Sequence, residues 1–377
     1  MRVLLTGGGS GGHVNPAIAI ADTIRKHQPD AEILFVGVKG GKESVLVPKS
    51  NYDLEYIESQ GIRRALSLKN IKALYLAVTS PRSRATRDIL EKFKPDIVIG
   101  TGGYVCWPLV RGAAYAGIPT MVHESNCKPG LAVKILQNSV DTILLNFPET
   151  VSYLVKKKKC VVVGNPIRGS FESVTREQAR RSLGLADSQK MVLVSAGSLG
   201  SQSINAAVLE MLRTLAPTRP ETRFVLSTGQ GNYADAKALY DEYKLSCYDN
   251  VEMVDYLYDM ATYMAAADVV VSRAGAISLS ELARMGKASI IIPSPNVADN
   301  HQFVNAQALV DRDAAMMVEE RDFDGGALPR AMLSLLDNAD LCSKFEKNIR
   351  TFADKDTNSL IYDLIVQAVD AYRTKKK

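Results

Sequence analysis

The sequence predicts an α/β protein with two doubly wound domains, each built on a mainly parallel sheet. Short apolar runs alternate with helix-like segments along the whole chain, a pattern typical of parallel sheets covered by helices on both faces. The pattern then restarts near the middle, where residues 191–203 repeat the strand, small-residue turn and helix start seen at residues 3–20. The length of 377 residues is sufficient for two separate hydrophobic cores.

The predicted elements follow in chain order. In the first half, we predict strands at residues 3–6, 32–36, 96–99, 119–122, 142–145 and 161–163, with helices at 14–26, 105–116 and 130–138. In the second half, we predict strands at 191–195, 224–227, 251–254, 268–272, 288–292 and 314–318, and helices over 340–373. Because Gly164-Asn165-Pro166 is a turn-forming tripeptide after a strand, we place an N-terminal domain at 1–163, a C-terminal domain at 164–340 and terminal helices at 341–377.

Composition excludes several classes of protein. The net charge of +5 is modest for a nucleic-acid binder, so we predict no nucleic-acid partner. The five cysteines lack metal-ligand spacing and the four histidines lack HxxxH spacing, so we predict no metal site. The short first apolar run ends in glycines, which argues against a signal peptide, and no run approaches the roughly 18 apolar residues of a membrane span.

A glycine-rich loop at residues 7–12 separates the first strand from a helix with Pro16 in its predicted first turn. Gly7, Gly9 and Gly12 match GxGxxG, a pattern typical of dinucleotide-binding loops. Such loops are followed by a carboxylate at the tip of the second strand, and here that strand ends without one. An NADP enzyme, with Lys39 or Lys42 on a 2′-phosphate, is therefore weakened but stays open.

His13 directly follows the last glycine of this loop. The positive end of the helix dipole lowers the pKa of an imidazole at this place, and a neutral imidazole can accept a proton from an attacking hydroxyl. A capping or core histidine is the alternative. Tyr104 and His123 follow other predicted strands, so we place them on the same rim of the sheet.

A second glycine turn, at Gly275, stands between a strand and a helix in the C-terminal half. The helix N-terminus and Ser278 suit a diphosphate. Glu281 would repel phosphate, so we expect it to accept from a ribose diol, although a carboxylate that interacts only with the helix dipole is the alternative. The polar loop at 293–302 carries side chains that both donate and accept hydrogen bonds, as sugar hydroxyls require.

Residues 61–87 are basic and contain no acidic residue. Apolar residues recur there at helical spacing beside Arg63, Arg64, Lys69 and Lys72. A basic amphipathic helix of this kind is typical of contact with an anionic membrane surface. A core-facing helix with a solvated basic face is the alternative.

Taken together, the motifs resemble those of the MurG family of bacterial N-acetylglucosaminyltransferases. Residues 8–16 are similar to the GGTGGHVxP opening of that family, with Ser10 in place of the usual Thr. The segments 101–105, 123–126, 164–168, 197–200, 273–276, 280–281 and 299–302 agree in order and spacing. The departures are Ser198-Leu199-Gly200 for the commoner Ser-Gln-Gly, and His301-Gln302 for two adjacent glutamines.

The resemblance implies a GT-B fold, with two Rossmann-like domains facing each other across a cleft, and a terminal helix that packs back on the N-terminal domain. It implies transfer of GlcNAc from UDP-GlcNAc to lipid I, a polyprenyl diphosphate, in peptidoglycan synthesis, and hence roles in cell shape and division. It implies no cofactor and a peripheral location on the cytoplasmic face of the plasma membrane. The implied donor contacts are Ser10, Gly11, Gly12, Asn126, Arg168, Ser198, Leu257, Ala276, Ile277, Ser278, Leu279, Ser280, Glu281 and Gln302.

We therefore predict an inverting transferase with His13 as general base and Glu124 as orienter or alternative base. Tyr104 and His123 are assigned to the acceptor side, and Arg63, Arg64, Lys69 and Lys72 to the membrane. The alternatives are a GT-B transferase for another nucleotide sugar or lipid, an NADP-dependent oxidoreductase, and a sugar-nucleotide binder without catalysis.

Overall fold

The computed structural model describes residues 1–59, 80–197, 199–353 and 356–376. The chain divides into two compact units, one formed by Met1–Arg168 with Lys355–Lys377 and the other by Gly169–Asp354. The predicted residues Arg63, Arg64, Lys69, Lys72 and Ser198 lie outside the described residues. Among the described residues, no helix is long and apolar enough to cross a membrane.

The first unit contains a seven-stranded sheet whose paired strands all run parallel. Its elements are β1 (Arg2–Thr6), α1 (Gly11–His27), β2 (Glu32–Gly37), α2 (Glu43–Lys49), β3 (Asp53–Tyr56), α3 (Arg84–Phe93), β4 (Ile97–Gly100), α4 (Cys106–Tyr115), β5 (Thr120–Glu124), α5 (Leu131–Leu136), β6 (Thr142–Leu145) and β7 (Cys160–Val162). The strand order is β3-β2-β1-β4-β5-β6-β7, so the doubly wound order reverses between β1 and β4.

The second unit repeats this order with a six-stranded parallel sheet. Its elements begin with α6 (Ser170–Ser173), α7 (Arg176–Ser182), β8 (Lys190–Ser195), α8 (Gln202–Thr218), β9 (Thr222–Ser227), α9 (Tyr233–Glu242) and β10 (Val251–Val254). They continue with α10 (Met260–Ala266), β11 (Val269–Arg273), α11 (Ala276–Met285), β12 (Ala288–Ile292), α12 (His301–Val310), β13 (Met316–Met317) and α13 (Ala327–Leu336). The order β10-β9-β8-β11-β12-β13 places the switch between β8 and β11.

The two last helices belong to different units. The first of them, α14 (Ala339–Arg350), lies in the second unit, where Phe345 joins the core. The other, α15 (Thr357–Lys376), lies in the first unit, where Ile361, Ile365 and Val369 are buried against α1 and the sheet. The terminal segment predicted at 341–377 is thus divided by the apolar face that each helix buries.

The boundary between the units also differs from the predicted one at residue 164. Gly164 accepts a hydrogen bond from His123 at 2.9 Å, and Ile167 accepts one from Asn358 at 3.1 Å. These bonds hold the segment after β7 in the first unit, which therefore extends to Arg168.

Both faces of the first sheet are covered, as the near-continuous apolar strands predict. Val3 and Leu5 pack with Ile18 on the α1 face, and Leu4 packs with Leu109 of α4 on the opposite face. Alternate residues of β1 thus enter different cores, since successive side chains of a strand point to opposite faces. Of the strands within the described residues, the prediction missed β3, an edge strand whose residues are only partly buried.

Candidate active site

The glycine loop of the first unit lies at the switch point of its sheet. It leaves β1 at Thr6, beside the end of β4, where the chain continues through Thr101, Gly102 and Gly103. The carboxyl ends of strands at a switch point form the crevice in which open α/β sheets bind their ligands. The two adjacent glycine turns make this crevice the candidate site of the first unit.

His13 lies in the first turn of α1, which begins at Gly11, earlier than predicted, so that Pro16 falls in the second turn. Ser10 is the N-cap, and its carbonyl accepts from the N–H groups of His13 and Val14 at 3.1 and 3.2 Å. The imidazole is half-buried. The side chain is therefore fixed at the helix start and remains partly open to solvent.

The imidazole of His13 has a defined tautomer. Its Nδ1 lies 3.0 Å from the carbonyl oxygen of Gly8. A carbonyl oxygen can only accept, so Nδ1 carries the proton and Nε2 of the neutral ring keeps its lone pair. The backbone of Gly102 lies along the Nε2 edge, because a Cβ at that glycine would come within 2.7 Å of Cδ2 and 3.1 Å of Nε2 of His13.

Thr101 joins the two turns. Its Oγ1 donates to the carbonyl of His13 at 2.7 Å, and its N–H donates to the carbonyl of Thr6 at 2.9 Å. Thr101 belongs to the 101–105 motif, which by itself predicts no role for its side chain. Its side chain ties the base of the His13 turn to the end of β4.

Glu43 is a second residue that sequence reasoning missed. Its carboxylate is buried and accepts from the N–H groups of Gly9 at 3.2 Å and Val38 at 3.1 Å. The carboxylate sought at the tip of β2 is thus present several residues later, and it binds the glycine loop of its own chain. The sequence signal that could have indicated this contact is the set of glycines at 37, 40 and 41, which let the Glu43 side chain turn back toward the glycine loop.

Tyr104 packs on the glycine loop. A Cβ at Gly9, whose φ is +83°, would lie 3.1 Å from Cε1 of the Tyr104 ring. Burial raises the pKa of the Tyr104 hydroxyl, and the charge of Glu43 raises it further. Tyr104 therefore stays neutral at the rim, where it was predicted to lie.

His123 lies inside the sheet and not on its rim, because β5 continues through Glu124. Its ring has no exposed surface. Nε2 donates to the carbonyl of Gly164 at 2.9 Å, and burial lowers the pKa of the imidazole to about 4. The predicted place of His123 in a loop after the strand is thus wrong, and its geometry is that of a neutral core histidine.

Glu124 ends β5 with a buried carboxylate that organises the next loop. Oε1 accepts from the backbone N–H of Asn126 at 2.9 Å and from its Nδ2 at 3.2 Å, while Oε2 accepts from Gly130 N–H at 2.8 Å. Burial raises the pKa of this carboxyl, and the hydrogen bonds from Asn126 and Gly130 lower it in part. Through these contacts Glu124 fixes the half-buried Asn126, and its role as orienter or alternative base stays a prediction.

The other predicted donor residues of the first unit lie at its surface. Ser10 and Gly12 are exposed and Gly11 is half-buried, so the loop presents its outer side to solvent. Arg168 is exposed at the end of the unit.

In the second unit, the Gly275 turn starts α11 at the switch point between β8 and β11. Gly275 is the N-cap and offers no side-chain acceptor to the first turn of the helix. Ala276 and Leu279 point into the core, whereas Ile277, Ser278, Ser280 and Glu281 are half-buried. Any contact from Ala276 or Leu279 to a ligand must therefore come from the backbone.

Two side chains that the prediction did not include hold this turn. Asn305, fully buried on α12, donates to the carbonyl of Ala274 at 3.2 Å. Arg273 donates to Oγ of Ser201 at 2.6 Å and forms an ion pair with Glu320 at 2.5 Å. Ser201 is the N-cap of α8, so Arg273 joins the turn after β11 to the turn after β8, as its place in a quoted motif could have indicated.

Leu257 and Gln302 complete the predicted set. The side chain of Leu257 is buried, which leaves only its backbone for a ligand contact. Oε1 of Gln302 accepts from the N–H of Ser294 at 2.9 Å, and so closes the polar loop after β12. Asp299 and Asn300 in that loop both have positive φ, at 54° and 51°, a strained conformation that is common at ligand sites.

Two family models match the chain. The glycosyltransferase family 28 N-terminal domain matches residues 3–145, and the glycosyltransferase family 28 C-terminal domain matches residues 191–360. Together they cover strands β1 to β6 of the first sheet, the strands of the second sheet from Met191 onward, and both switch points. The two doubly wound units are thus those of a GT-B glycosyltransferase.

The chain is similar over nearly its whole length to curated bacterial enzymes. A protein of Thermoanaerobacter sp. (strain X514), named "UDP-N-acetylglucosamine--N-acetylmuramyl-(pentapeptide) pyrophosphoryl-undecaprenol N-acetylglucosamine transferase", is 40% identical over 365 residues, which cover 97% of this chain and 99% of the relative. A protein of Clostridioides difficile (strain 630) with the same name is 38% identical over 381 residues, which cover 100% and 92%.

Solved structures agree with this result. The crystal structure of Acinetobacter baumannii MurG matches with a TM-score of 0.75 and 26% identity, covering 97% of this chain and 99% of that one. A UDP-GlcNAc 2-epimerase from Neisseria meningitidis matches with a TM-score of 0.69 and 16% identity, covering 97% and 100%, and shares the fold alone. The chain belongs to glycosyltransferase family 28, among the MurG N-acetylglucosaminyltransferases.

Proposed function

We propose that the protein moves GlcNAc from UDP-GlcNAc to the C4 hydroxyl of MurNAc in lipid I, with inversion at the anomeric carbon and His13 as general base. As a family member it is a hexosyltransferase, and its relatives are named for this donor and this acceptor. The observation that carries the assignment of the base is the hydrogen bond from Nδ1 of His13 to Gly8, which puts the ring proton on Nδ1 and so makes Nε2 the basic nitrogen of the neutral ring.

The reaction then follows in one displacement. The C4 hydroxyl gives its proton to Nε2 of His13 as its oxygen bonds to the anomeric carbon of GlcNAc. The bond from that carbon to the UDP oxygen breaks, and the electron pair leaves with the diphosphate. Attack from the face opposite UDP produces the β-1,4 link, UDP and an imidazolium that later loses its proton to solvent.

Donor binding is assigned mainly to the second unit. The start of α11 presents backbone N–H groups and the positive end of a helix dipole, both of which stabilise the charge that develops on a leaving diphosphate. Ser278 adds a hydroxyl, and Glu281, one turn away from the N-terminus, accepts from the ribose diol. The same predicted donor set includes Asn126, Arg168, the Ser198 turn, Leu257 and Gln302, together with Ser10, Gly11 and Gly12 of the glycine loop.

The test of the base is the kcat of His13→Asn and His13→Ala, measured with UDP-GlcNAc and a soluble lipid I analogue. We expect kcat to fall by about 100- to 10,000-fold while UDP-GlcNAc binding in calorimetry stays unchanged. His27→Asn, which alters the other end of the same helix, is the matched control and should keep its kcat. Near-normal turnover in both His13 variants would exclude the assignment.

A transferase for another nucleotide sugar is the alternative from the same fold. UDP-Glc, UDP-GalNAc and a dTDP sugar compared with UDP-GlcNAc at equal concentration should show a preference for UDP-GlcNAc in kcat/KM. Equal rates with a second donor would contradict the proposed substrate. Membership in a glycosyltransferase family removes the basis of the NADP alternative.

We also propose that the first unit contacts an anionic membrane, which would place the enzyme peripherally on the cytoplasmic face of the plasma membrane. The basic residues assigned to this contact are Arg63, Arg64, Lys69 and Lys72. Described residues of the first unit support it: Arg111 lies over the rings of Trp107 and Tyr115, and Arg82 lies over Tyr115. Aromatic rings beside basic groups are typical of the membrane interface.

The membrane proposal is tested with the charge-reversed variant Arg63→Glu, Arg64→Glu, Lys69→Glu, Lys72→Glu and vesicles containing anionic lipid. At roughly 1 kcal/mol for each basic residue near the surface, vesicle binding should fall by at least about 100-fold. The control reverses Arg181, Arg321, Lys344 and Lys347 of the second unit, which changes the net charge equally and should preserve binding. Equal binding of the two variants would contradict the proposal.

A further inference from the structure

Glu43 is a buried carboxylate that carries no assigned role in the reaction. It has 1% of its surface exposed and begins α2, yet its side chain turns toward the glycine loop. Its two oxygens accept from N–H groups in two different segments, Gly9 in the loop after β1 and Val38 after β2. A carboxylate that is buried at this depth and accepts from backbone N–H groups fixes the segments that donate to it.

Three glycines lie against the side chain of Glu43, at positions where a Cβ would not fit. A Cβ at Gly8 would lie 2.5 Å from Oε1 of Glu43, one at Gly41 would lie 2.4 Å from the same atom, and one at Gly37 would lie 2.4 Å from its Cγ. Real Cβ atoms do not approach other atoms so closely, so any side chain at these positions would displace the carboxylate. Two segments of the first unit, residues 8–9 and 37–41, thus close around a single acidic group.

The contacts continue from Glu43 to the proposed base. Gly8 lies against the carboxylate, and its carbonyl oxygen accepts from Nδ1 of His13. Gly9, the next residue, is held by its N–H. The peptide that selects the tautomer of His13 is therefore held in place by Glu43.

We propose that Glu43 is a positioning residue for the transfer reaction, which holds the Gly8-Gly9 peptide so that His13 presents Nε2 to the acceptor hydroxyl. The inference rests on the proposed role of His13 as general base. The charge of Glu43 adds a second effect, because a carboxylate behind this peptide favours the imidazolium that forms on proton transfer. The charge is felt at the loop, since it contributes to the raised pKa of Tyr104.

This geometry also explains what the glycine loop does not do. In phosphate-binding loops the N–H groups face the ligand. Here the N–H of Gly9 faces an internal carboxylate, and a phosphate at that place would meet a like charge. We therefore expect the loop to present the side chain of His13, and we expect no anion to bind at the N–H of Gly9.

Two variants separate the geometry of Glu43 from its charge. Glu43→Gln keeps the length of the side chain and removes the charge, whereas Glu43→Asp keeps the charge and withdraws it by one methylene. Glu91→Gln, an exposed carboxylate on α3, is the matched control. The readouts are kcat, the KM for UDP-GlcNAc, the pH dependence of kcat/KM and the imidazole NMR signals, which number only four sets in this chain.

For Glu43→Gln we expect kcat to fall by about 10- to 100-fold, with the KM for UDP-GlcNAc within about twofold because the second unit holds the donor. The acid limb of the pH profile should move to lower pH, since loss of a nearby negative charge disfavours the imidazolium. Glu43→Asp should lose a similar part of kcat while its acid limb stays in place. Glu91→Gln should resemble the unaltered protein.

The NMR measurement separates this inference from the role of His13 in catalysis. If His13→Asn keeps its turnover, the general-base assignment fails, while a changed Nδ1–H signal of His13 in Glu43→Gln still supports the positioning contact. Unchanged His13 signals together with unchanged kcat in both Glu43 variants would overturn the inference. If Glu43→Gln does not melt cooperatively, Glu43→Asp provides the same test of geometry.

Discussion

The two units use the same strand, glycine turn and helix at their switch points, and the two turns differ in what occupies them. At the first, Glu43 accepts from the N–H of Gly9, and the carbonyl of Gly8 accepts from His13. At the second, Gly275 starts α11 without a side-chain cap, and the buried Asn305 holds the turn from behind through Ala274. The N–H of Gly9 at the first turn is thus bound by a carboxylate of the same chain, whereas the second turn presents the N-terminus of α11.

This difference separates two roles that one sequence pattern cannot distinguish. A glycine turn at a switch point provides N–H groups and close backbone approach in either case. At the first turn, the carboxylate of Glu43 accepts from the N–H of Gly9, 34 residues earlier in the chain, and we propose that this turn presents a base. The comparison predicts that changes at the first turn will affect kcat and that changes at the second will affect donor affinity.

Among the glycine substitutions at the two turns, the largest effect is expected for Gly102→Ala. Gly102 has a φ of +104°, and the added Cβ would lie 2.7 Å from Cδ2 of His13. The imidazole must therefore move, and a displacement of about 1 Å lowers the rate by about 100-fold. We expect that loss in kcat with an unchanged dissociation constant for UDP-GlcNAc, from steady-state kinetics and calorimetry.

Gly117→Ala is the control for backbone strain. Gly117 also has a positive φ, +69°, but a Cβ there would meet no atom within 4 Å. Both variants carry the cost of a left-handed alanine, about 1–2 kcal/mol, while only Gly102→Ala touches His13. Equal loss of kcat in the two variants would show that backbone strain alone is responsible. It would contradict the claim that the first turn acts on kcat through His13.

A second prediction concerns His123, which belongs to the scaffold of the first unit. Its pKa falls from 6.5 to about 4 because burial disfavours the cation. Below pH 6.5 the unfolded chain takes up a proton that the folded chain refuses until about pH 4. Stability should therefore decrease by about 3 kcal/mol as the pH falls through this interval.

Chemical denaturation of the unaltered protein and His123→Gln at pH 7, 5.5 and 4 measures this loss. Glutamine retains an N–H donor for Gly164 and cannot titrate, so the variant should lose about 3 kcal/mol less than the unaltered protein between pH 7 and pH 4. Equal losses of unfolding free energy in both proteins would contradict the buried position of His123 and favour the accessible rim that the sequence predicts.

The fold was predictable because apolar runs and glycine turns are local signals. The strands at 142–145, 251–254 and 288–292 were predicted at their observed bounds. Edge strand β3 was missed because Leu54 is its only aliphatic residue, and its burial depends on tertiary contacts. The division of the terminal helices was missed for a similar reason, since both are amphipathic and only packing assigns each apolar face to a unit.

The candidate site was predictable in its residue types and less so in its contacts. His13 was found because a titratable ring beside a glycine loop is unusual in itself. Glu43 and Asn305 were missed because each binds a backbone group more than 30 residues away, at Gly9 and Ala274, and no spacing rule connects them. His123 was misplaced because β5 continues two residues beyond its predicted end, which moved the ring from the rim into the core.

A third prediction concerns Glu281, which follows the second turn. Glu281→Gln keeps the shape of the side chain and removes the charge proposed to accept from the ribose diol. Loss of a charged hydrogen bond should weaken UDP and UDP-GlcNAc equally, by about 10-fold, with kcat at saturating donor little changed. The control is Glu221→Gln, which alters an exposed carboxylate of the same unit. Unchanged donor affinity in Glu281→Gln would contradict the ribose contact and favour the alternative, in which the carboxylate interacts only with the helix dipole.

The smallest and most specific effect is expected for Gly275→Ala, the counterpart of Gly102→Ala in the second unit. Gly275 has a φ of −65°, which alanine adopts without strain, and the added Cβ would lie 3.8 Å from its nearest neighbour, Oγ of Ser278. The fold should therefore be as stable as before, or more so by about 0.4–1 kcal/mol.

Any loss of donor affinity in Gly275→Ala must then come from the ligand itself. A diphosphate that touches the backbone at this turn would be displaced from one hydrogen bond, worth about 1 kcal/mol, or about fivefold in the dissociation constant of UDP. We expect that loss with kcat unchanged, the opposite of the pattern in Gly102→Ala. Unchanged UDP affinity in Gly275→Ala would mean that the diphosphate does not approach this turn, and the two glycine turns would no longer divide base and donor between them.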